Sequence, residues 1–401
     1  MKVLQINAVY HIHSTGRLVY ELHHYYIKEG IDSLVAYSSS DGIGDTGLYQ
    51  IGTVYDKKLH AALSRIIGLQ GYFSVFSTKR LLRFIEKSKP DVVHLHNLHS
   101  NYIHLPMLLK YLAKYDIPTV ITLHDCWFYT GKCFHYTAHE CDKWKTGCNH
   151  CSYWRLFNGY YFFDRSFKMW KDKKRYFLAI PRLGVIGVSE WITSEAKQTF
   201  LNQAKICKRI YNWIDLETFK PTQSEVLSEF DNQFKILGVA TEWADSKGLS
   251  DILYLAKKLP EDCIIILVGN IMEKDKQRLP HNVISVGRIT PAENLAKYYA
   301  AADVFINFSK EESFGLVTAE ALACGTPAIV YDSTANGELV GNLCGYKVTS
   351  LEGELLQKIL LIREKGKNCY SPHCRKFAQT NFDAVTNMKE IRNVYEQLTT
   401  S

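Results

Sequence analysis

Two series of short β-branched runs, separated by amphipathic stretches of helical period, constrain the fold of this chain more than any other feature of it. The first series is VLQIN (3–7), SLVAYS (33–38), DVVHLH (91–96), PTVITL (118–123) and LGVIGV (183–188). The second is KILGVA (235–240), CIIILVG (263–269), NVISVG (282–287), DVFINF (303–308) and PAIVY (327–331). Helical patterns lie between them, for example at 15–29, 78–88, 102–115, 190–200, 249–259, 291–301 and 316–324. Strands that are apolar almost throughout and joined by helices belong in parallel sheets covered on both faces. Two such series predict two doubly wound α/β domains, which suits 401 residues, since a single core rarely grows that large. The polar stretch 215–233 reads as the linker between them.

In doubly wound sheets, ligands bind beyond the carboxyl ends of the strands. In the second series, SKEESFG follows the 303–308 strand, and LVTAEALAC reads as a helix stopped by Gly325 with Pro327 beyond it. Ser313, Phe314, Gly315 and Leu316 mark the start of that helix. Free backbone N–H groups and the positive end of the helix dipole suit a phosphate there, and Gly315 lets the backbone come close to a ligand. Glu312 precedes the helix and Glu320 lies inside it. That spacing suits carboxylates gripping hydroxyls on either side of a diphosphate, a sugar on one side and a ribose on the other. The alternative is a pair of solvated surface charges. In the first series, HIHSTGR (11–17) follows the first strand and opens a helix. Gly16, with Arg17 beside it, can present amides to a phosphate there, and Ser14 or Thr15 can equally be an ordinary N-cap. His124 ends the 118–123 strand, a position from which a side chain reaches a ligand.

EESFGLVTAEALACGTP resembles the E-x7-E signature of family 4 of the retaining glycosyltransferases. IYNWIDLETFKP (210–221) is similar to the family's hinge segment, with Trp213 where glycine is usual. GVATEWADSKGLSDILYLA (238–256) resembles the stretch whose lysine binds the donor diphosphate, here Lys247, and PDVVHLHN and PTVITLHD resemble the family's histidine-bearing strand ends. The resemblance spans nearly the whole chain. It implies the GT-B fold, two Rossmann-like doubly wound domains facing across a cleft. Residues 1–214 would form the acceptor side, 215–382 would hold a nucleotide-diphosphate sugar, and a final helix at 383–401 would return to the N-terminal domain. It further implies that Lys247 and the helix start hold the departing diphosphate, Glu312 orients the sugar, Glu320 the ribose, and His124 contacts the donor sugar. Retention by double displacement needs a carboxylate nucleophile at the anomeric carbon; the resemblance implies same-face attack by the acceptor hydroxyl instead. The acceptor class implied is a glycan or lipid-linked glycan of surface polysaccharide assembly. The chain also departs from the pattern: Thr241 stands where many relatives have arginine, and Ser246 where others have a basic residue. Arg288 is the candidate replacement cation. The departure leaves a second reading, a GT-B-shaped nucleotide-sugar-binding or scaffolding protein with weak turnover.

Five of the eleven cysteines fall between Cys126 and Cys151. Cys133, Cys141, Cys148 and Cys151 have the spacing C-x7-C-x6-C-x2-C, which suits a structural zinc in a reducing compartment. Reduced thiols, disulfides or an iron–sulfur cluster are the alternatives, with His135, His139 and His150 as further ligand candidates. No Asp-x-Asp site is evident, so the expected catalysis requires no cofactor. Segment 153–183 mixes aromatics with Arg and Lys. It reads as a peripheral contact with an anionic membrane, or as a helix packed on the sheet with a solvated basic face; nucleic acid is not the expected partner. The net charge of +7 fits an anionic ligand. No apolar run approaches the roughly 18 to 20 residues of a membrane span, and the opening MKVLQINAVY shows no signal region. The expected location is cytoplasmic, at the inner face of a membrane.

Overall fold

A computed structural model describes residues 1–155 and 162–400. The chain divides into two compact units: Met1–Ile210 together with the chain's end from Met388, and Tyr211–Asn387.

The first unit is built on seven strands: β1 (Lys2–Tyr10), β2 (Asp32–Ser40), β3 (Leu48–Gln50), β4 (Val92–Leu95), β5 (Thr119–Leu123), β6 (Leu183–Gly187) and β7 (Ile206–Arg209). They lie in the order β3-β2-β1-β4-β5-β6-β7, with every neighbouring pair parallel. The second unit has six: β8 (Phe234–Trp243), β9 (Cys263–Ile271), β10 (Val283–Gly287), β11 (Val304–Asn307), β12 (Ala328–Tyr331) and β13 (Gly345–Val348). Their order is β10-β9-β8-β11-β12-β13, again all parallel. Both are Rossmann-type sheets, and their central strands are apolar because helices cover both faces: Val3, Leu4, Ile6, Ile236, Leu237, Ile265 and Ile266 are fully buried. The direction of winding reverses between β1 and β4 in one unit and between β8 and β11 in the other. These switch points open a crevice at the carboxyl edge of each sheet.

The strands β3, β7 and β13 carry no signature in the sequence because each is an edge strand of only three or four residues. The helix Val54–Ile67 is also unannounced: Thr53 and Asp56 form a capping box at its start, yet it leaves Val54, Tyr55, Leu59 and Ile66 exposed instead of showing a clean buried stripe. The polar stretch 215–233 is not a free linker. Phe219 and Leu227 are buried, and the Arg375 guanidinium donates to the carbonyls of Leu216, Phe219 and Ala323 at 2.9, 2.7 and 3.0 Å. The two apolar anchors, and Arg375 bridging the Leu216 and Phe219 carbonyls to that of Ala323, hold this stretch to the second unit.

The basic, aromatic segment 153–183 includes residues 156–161, which lie outside the described residues. Its helix, Ser166–Phe177, turns Met169, Trp170 and Phe177 into the core. That helix is packed on the core on one side, and it leaves Phe167 exposed beside exposed Phe162 and Phe163. No helix among the described residues is long and apolar enough to cross a membrane.

The chain ends in two helices, Ser371–Asn381 and Ala384–Thr399. From Met388 onward the second belongs to the first unit and buries Met388, Ile391, Val394, Tyr395 and Leu398. Gly184 on β6 makes room for it: a Cβ there would stand 2.9 Å from Leu398 Cδ1.

Candidate active site

In the second unit, the loops after β8 and β11 flank the switch point, and they carry the two charged residues singled out above. Lys247 closes a 3-10 turn, Asp245–Lys247. Glu312 lies in the loop between β11 and the helix Leu316–Ala323. Lys247 Nζ stands 2.5 Å from Glu312 Oε1 and 3.2 Å from Ser309 Oγ. Glu312 is the more sheltered partner, with a side chain 18% exposed against 39% for Lys247. Lys310 N and Ser309 Oγ both donate to the Ser246 carbonyl, at 3.2 and 3.4 Å, so the two loops are tied by backbone as well as by charge.

The loop is held from beneath by a second polar segment. Asn307 Nδ2 donates to Thr318 Oγ1 and Asn336 Oδ1, and Asn336 Nδ2 donates to the Ser309 carbonyl, all at 3.1 Å. Glu312 N donates to Thr334 Oγ1 at 2.9 Å, and Ala335 N to the Glu312 carbonyl at 3.2 Å. Sequence reasoning missed Asn307, Ser309, Thr334 and Asn336. The available signal was the polar run 333–336, placed directly after β12.

The helix starts as its sequence suggests. Gly315 is its N-cap with φ +94, and a Cβ there would meet Leu339 Cδ1 at 3.1 Å and Asn336 Oδ1 at 3.2 Å. A side chain is therefore opposed by both backbone conformation and space. Phe314 is buried against Tyr211 and Phe382, and Leu316 is the first helical residue. Ser313 is buried, and its Oγ has no hydrogen-bond partner among the described residues. Glu320 is not a surface charge: it is only 4% exposed, and the Tyr299 hydroxyl donates to its Oε2 at 3.0 Å. Arg288 follows β10 at the sheet's outer edge, with β9 lying between β10 and β8. It lines a concavity of about 740 Å³ with Glu225, Asn294, Lys297 and Tyr298; neither Lys247 nor Glu312 lines it. Thr241 and Ser246 are both exposed.

In the first unit, the helix after β1 is His13–Lys28, and its N-cap is Ile12. Ser14 and Thr15 lie inside the first turn, so neither is the cap. The chain turns earlier, with His11 at φ 65 and His13 at φ 58. Gly16 is buried and faces its own strand: its carbonyl accepts from His11 N at 3.0 Å. Arg17 Nε lies 3.8 Å from Glu21 Oε1.

His124 ends β5 in a row of histidines. His124 Nε2 is 3.1 Å from His96 Nδ1, and the His96 and His94 ring centroids are 4.0 Å apart. His94 bonds the Tyr395 hydroxyl (2.6 Å) and Thr122 Oγ1 (2.7 Å). Burial holds His94 at about 3 and His124 at about 4, and keeps His96 well below the ordinary range. All three are neutral near pH 7. Beside them Asp125 accepts from His99 Nε2 at 2.9 Å and from Trp127 N at 2.8 Å. Burial pushes its pKa up, but the adjacent His99 and these bonds outweigh that and hold the Asp125 carboxyl below the usual carboxylate range.

Cys133, Cys141, Cys148 and Cys151 line one small cavity of about 40 Å³. Among the described residues no group of three or more His, Cys, Asp or Glu side chains, these four cysteines included, is placed so that it could hold a metal ion.

Two Rossmann-type units, one with a cation and a carboxylate paired at its switch point above a glycine-capped helix, define the class: a glycosyltransferase with the GT-B fold. The chain belongs to Glycosyltransferase Family 4, whose profile matches residues 15–218; the profile described as Glycosyl transferases group 1 matches 220–364. It is 24% identical over 421 residues to WcaC of Escherichia coli (strain K12), provisionally named a colanic acid biosynthesis glycosyl transferase, covering 99% of this chain and 100% of that one. Among solved structures it is similar to sucrose-phosphate synthase from Thermosynechococcus elongatus (TM-score 0.72, 15% identity, 100% of this chain and 99% of that chain). It is also similar to Anabaena HepE in complex with UDP (TM-score 0.67, 16% identity, 99% and 100%). At these identities the structural likeness speaks to the fold alone.

Proposed function

We infer that this glycosyltransferase moves a sugar, with retention, from a nucleotide-diphosphate sugar to a glycan or lipid-linked acceptor in surface polysaccharide assembly. The observation that carries this reading is the Lys247–Glu312 pair at the switch point between β8 and β11. An ion pair this open to solvent contributes at most about 1 kcal/mol, so a diphosphate can displace Glu312 from the ammonium at little cost. Lys247 and the amides at Gly315 and Leu316 then hold the charge that grows on the leaving group. Glu312, freed from the lysine, accepts from a sugar hydroxyl. Glu320 serves the ribose from its buried position beside Tyr299, and neutral His124 touches the donor sugar without acting as a base. Attack comes from the acceptor hydroxyl on the face the diphosphate leaves, and catalysis needs no metal.

The WcaC likeness supports the polysaccharide context, and the UDP bound to HepE supports a nucleotide donor. The cytoplasmic face of a membrane is the location that fits lipid-linked acceptors. Contact with it is supported by the helix Val54–Ile67, whose exposed Tyr55, Leu59 and Ile66 sit among exposed Lys58 and Arg65. The test is a screen of nucleotide-sugars by thermal shift, followed by product analysis with a lipid-linked glycan acceptor. Nucleoside diphosphate released only with acceptor present, and a product with the donor's anomeric configuration, is the expected result. Release without acceptor, or an inverted product, overturns it.

A further inference from the structure

The histidine row at the carboxyl ends of β4 and β5 has three members, and the proposed reaction uses only His124. The row follows from the two-residue period of a strand. His94 and His96 share one face on β4 and just past it, and Thr122 and His124 share one face on β5 and just past it. The strands are parallel, with Leu95 opposite Ile121, and the side chains pair as two rungs. In the lower rung His94 Nε2 bonds Thr122 Oγ1 at 2.7 Å, while His94 Nδ1 bonds the Tyr395 hydroxyl at 2.6 Å. In the upper rung His96 Nδ1 bonds His124 Nε2 at 3.1 Å.

With both nitrogens taken, the His94 ring is fixed. It packs on the His96 ring with centroids 4.0 Å apart, and the His96 ring lies 5.3 Å from that of His124, the two planes 23° apart. The lower rung therefore sets the plane of His96, and His96 engages His124 at one nitrogen. We propose that His96 is a positioning residue for sugar transfer: by holding Nε2 of His124 it turns Nδ1 of that ring toward the donor sugar. The inference rests on the reading above that His124 touches the sugar, and it adds which atom does so and what fixes it.

Packing alone does not account for a histidine at 96. The residue is 3% exposed, and its Nε2 is buried with no hydrogen-bond partner among the described residues. A buried polar nitrogen without a partner destabilises a fold, and leucine or phenylalanine would fill the space without that penalty. What histidine supplies and they do not is the bond to His124. An imidazole turns about its last torsion between two broad wells, and each turn exchanges a nitrogen for a carbon where the ring meets a ligand. A contact that stabilises a transition state must already be in place when the reaction begins, and the bond to His96 holds the ring in one of the two wells.

Burial keeps the row neutral near pH 7, so a single N–H lies between His96 and His124. Whichever ring carries that hydrogen, Nδ1 of His124 is left for the ligand. It accepts from a sugar hydroxyl when His124 holds the shared hydrogen, and donates to one when His96 does. No proton changes hands in the contact.

NMR of the full chain, with isotopically labelled histidine rings and no ligand, tests the geometry directly. A scalar coupling across the hydrogen bond between His96 Nδ1 and His124 Nε2 should be present. His96→Leu should lower the kcat of transfer about tenfold, while affinity for the nucleoside diphosphate of the donor stays within about twofold and the melting temperature does not fall. His96→Asn puts an amide where Nδ1 was and should recover most of the lost rate. For a residue that only fills space, asparagine would be the worse substitute, being smaller and more polar. Because His96→Leu can fail to fold, the coupling in the wild-type protein is the independent reading. Absence of that coupling, or a coupling to Nδ1 of His124 instead, overturns the inference and leaves the glycosyltransferase reading standing. His96→Leu with the wild-type kcat overturns it too, as does His96→Asn no faster than His96→Leu. A coupling that is present in a protein whose His124→Ala variant transfers sugar at the wild-type rate overturns the reading of His124 itself, and His96 loses its role with it.

Discussion

Lys247 and Glu312 are 65 positions apart in the chain and 2.5 Å apart in space, joined at the ends of the two strands that flank the switch point of the second sheet. Each occupies the loop where a doubly wound fold presents its ligand-binding groups. On the proposed assignment of Glu312 to the donor sugar and Lys247 to the diphosphate, the two residues should fail differently. Glu312→Ala should lower kcat about 10²-fold while the dissociation constant for the nucleoside diphosphate stays within about threefold, since Lys247 remains. Lys247→Ala should weaken nucleotide binding as well as turnover. Titration calorimetry beside steady-state rates separates the two. Equal loss of affinity and rate in Glu312→Ala would remove the sugar from its assigned partner.

What could be read from the sequence here was set by period and by terminus chemistry. Ten of the thirteen strands announce themselves as apolar runs, most of them buried on both faces, and the helix at Leu316 because a glycine cap precedes it and Gly325 with Pro327 follows. Asn307, Ser309, Thr334 and Asn336 left little trace, since what they do is bond one loop to another, and loop-to-loop pairing has no period. Glu320 looked like a displayed carboxylate, but the helix bearing it is buried on nearly every side, a property of tertiary packing that its eight residues alone do not express. In the aromatic, basic segment the composition alone could not say which rings face the core: Trp170 and Phe177 do, while Phe162, Phe163 and Phe167 stay exposed.

Gly315 gives a direct test of the helix start. A Cβ at φ +94 costs about 1–2 kcal/mol in backbone strain, and here it also crowds Leu339 and Asn336. Gly315→Ala should lower the melting temperature of the second unit by several degrees and should weaken nucleotide binding further by moving the amides. Unchanged melting and affinity would mean that the loop relaxes freely.

The histidine row makes the first unit sensitive to acid. His94 titrates at about 3 and His124 at about 4 in the fold, against about 6.5 in an unfolded chain. Between those values the unfolded state binds more protons, so stability falls as pH drops from about 6.5 toward 4, by up to about 1.4 kcal/mol per pH unit for each histidine. Above pH 6.5 these groups contribute no slope. Urea unfolding at pH 7.5, 6.0 and 4.5, followed by Trp fluorescence, should show the loss, and His94→Gln should flatten it. A profile flat from 7.5 to 4.5 would mean that the row is solvated.

The exposed apolar side chains of the helix Val54–Ile67 should carry membrane affinity. The triple change Tyr55→Ser/Leu59→Ser/Ile66→Ser removes apolar surface that is already in water, so folding stability should change little. Binding to phosphatidylglycerol vesicles should fall about tenfold or more, from about 1.4 kcal/mol or more of lost burial. Flotation of the variant together with wild-type protein would move the membrane contact elsewhere.

The end of the chain should matter to the first unit out of proportion to its length. The Tyr395 hydroxyl and His94 Nδ1 share a hydrogen bond of 2.6 Å, and both groups are fully buried. Tyr395→Phe keeps the ring in place but leaves a His94 nitrogen without its partner, which costs about 1–3 kcal/mol. Leu398→Ala opens a cavity over Gly184 and should cost about 2–5 kcal/mol. Deleting 388–401 removes both, together with Met388, Ile391 and Val394, and uncovers the sheet where Gly184 was left bare for this helix. That loss exceeds the whole stability of many domains, about 5–15 kcal/mol, so the truncated chain should show a first unit that binds a hydrophobic dye and is cleaved readily by protease. The Lys247–Glu312 pair lies in the second unit, so nucleotide binding should persist while transfer is lost. A truncated protein with native protease resistance and full transfer activity would show that the sheet of the first unit closes without its last helix.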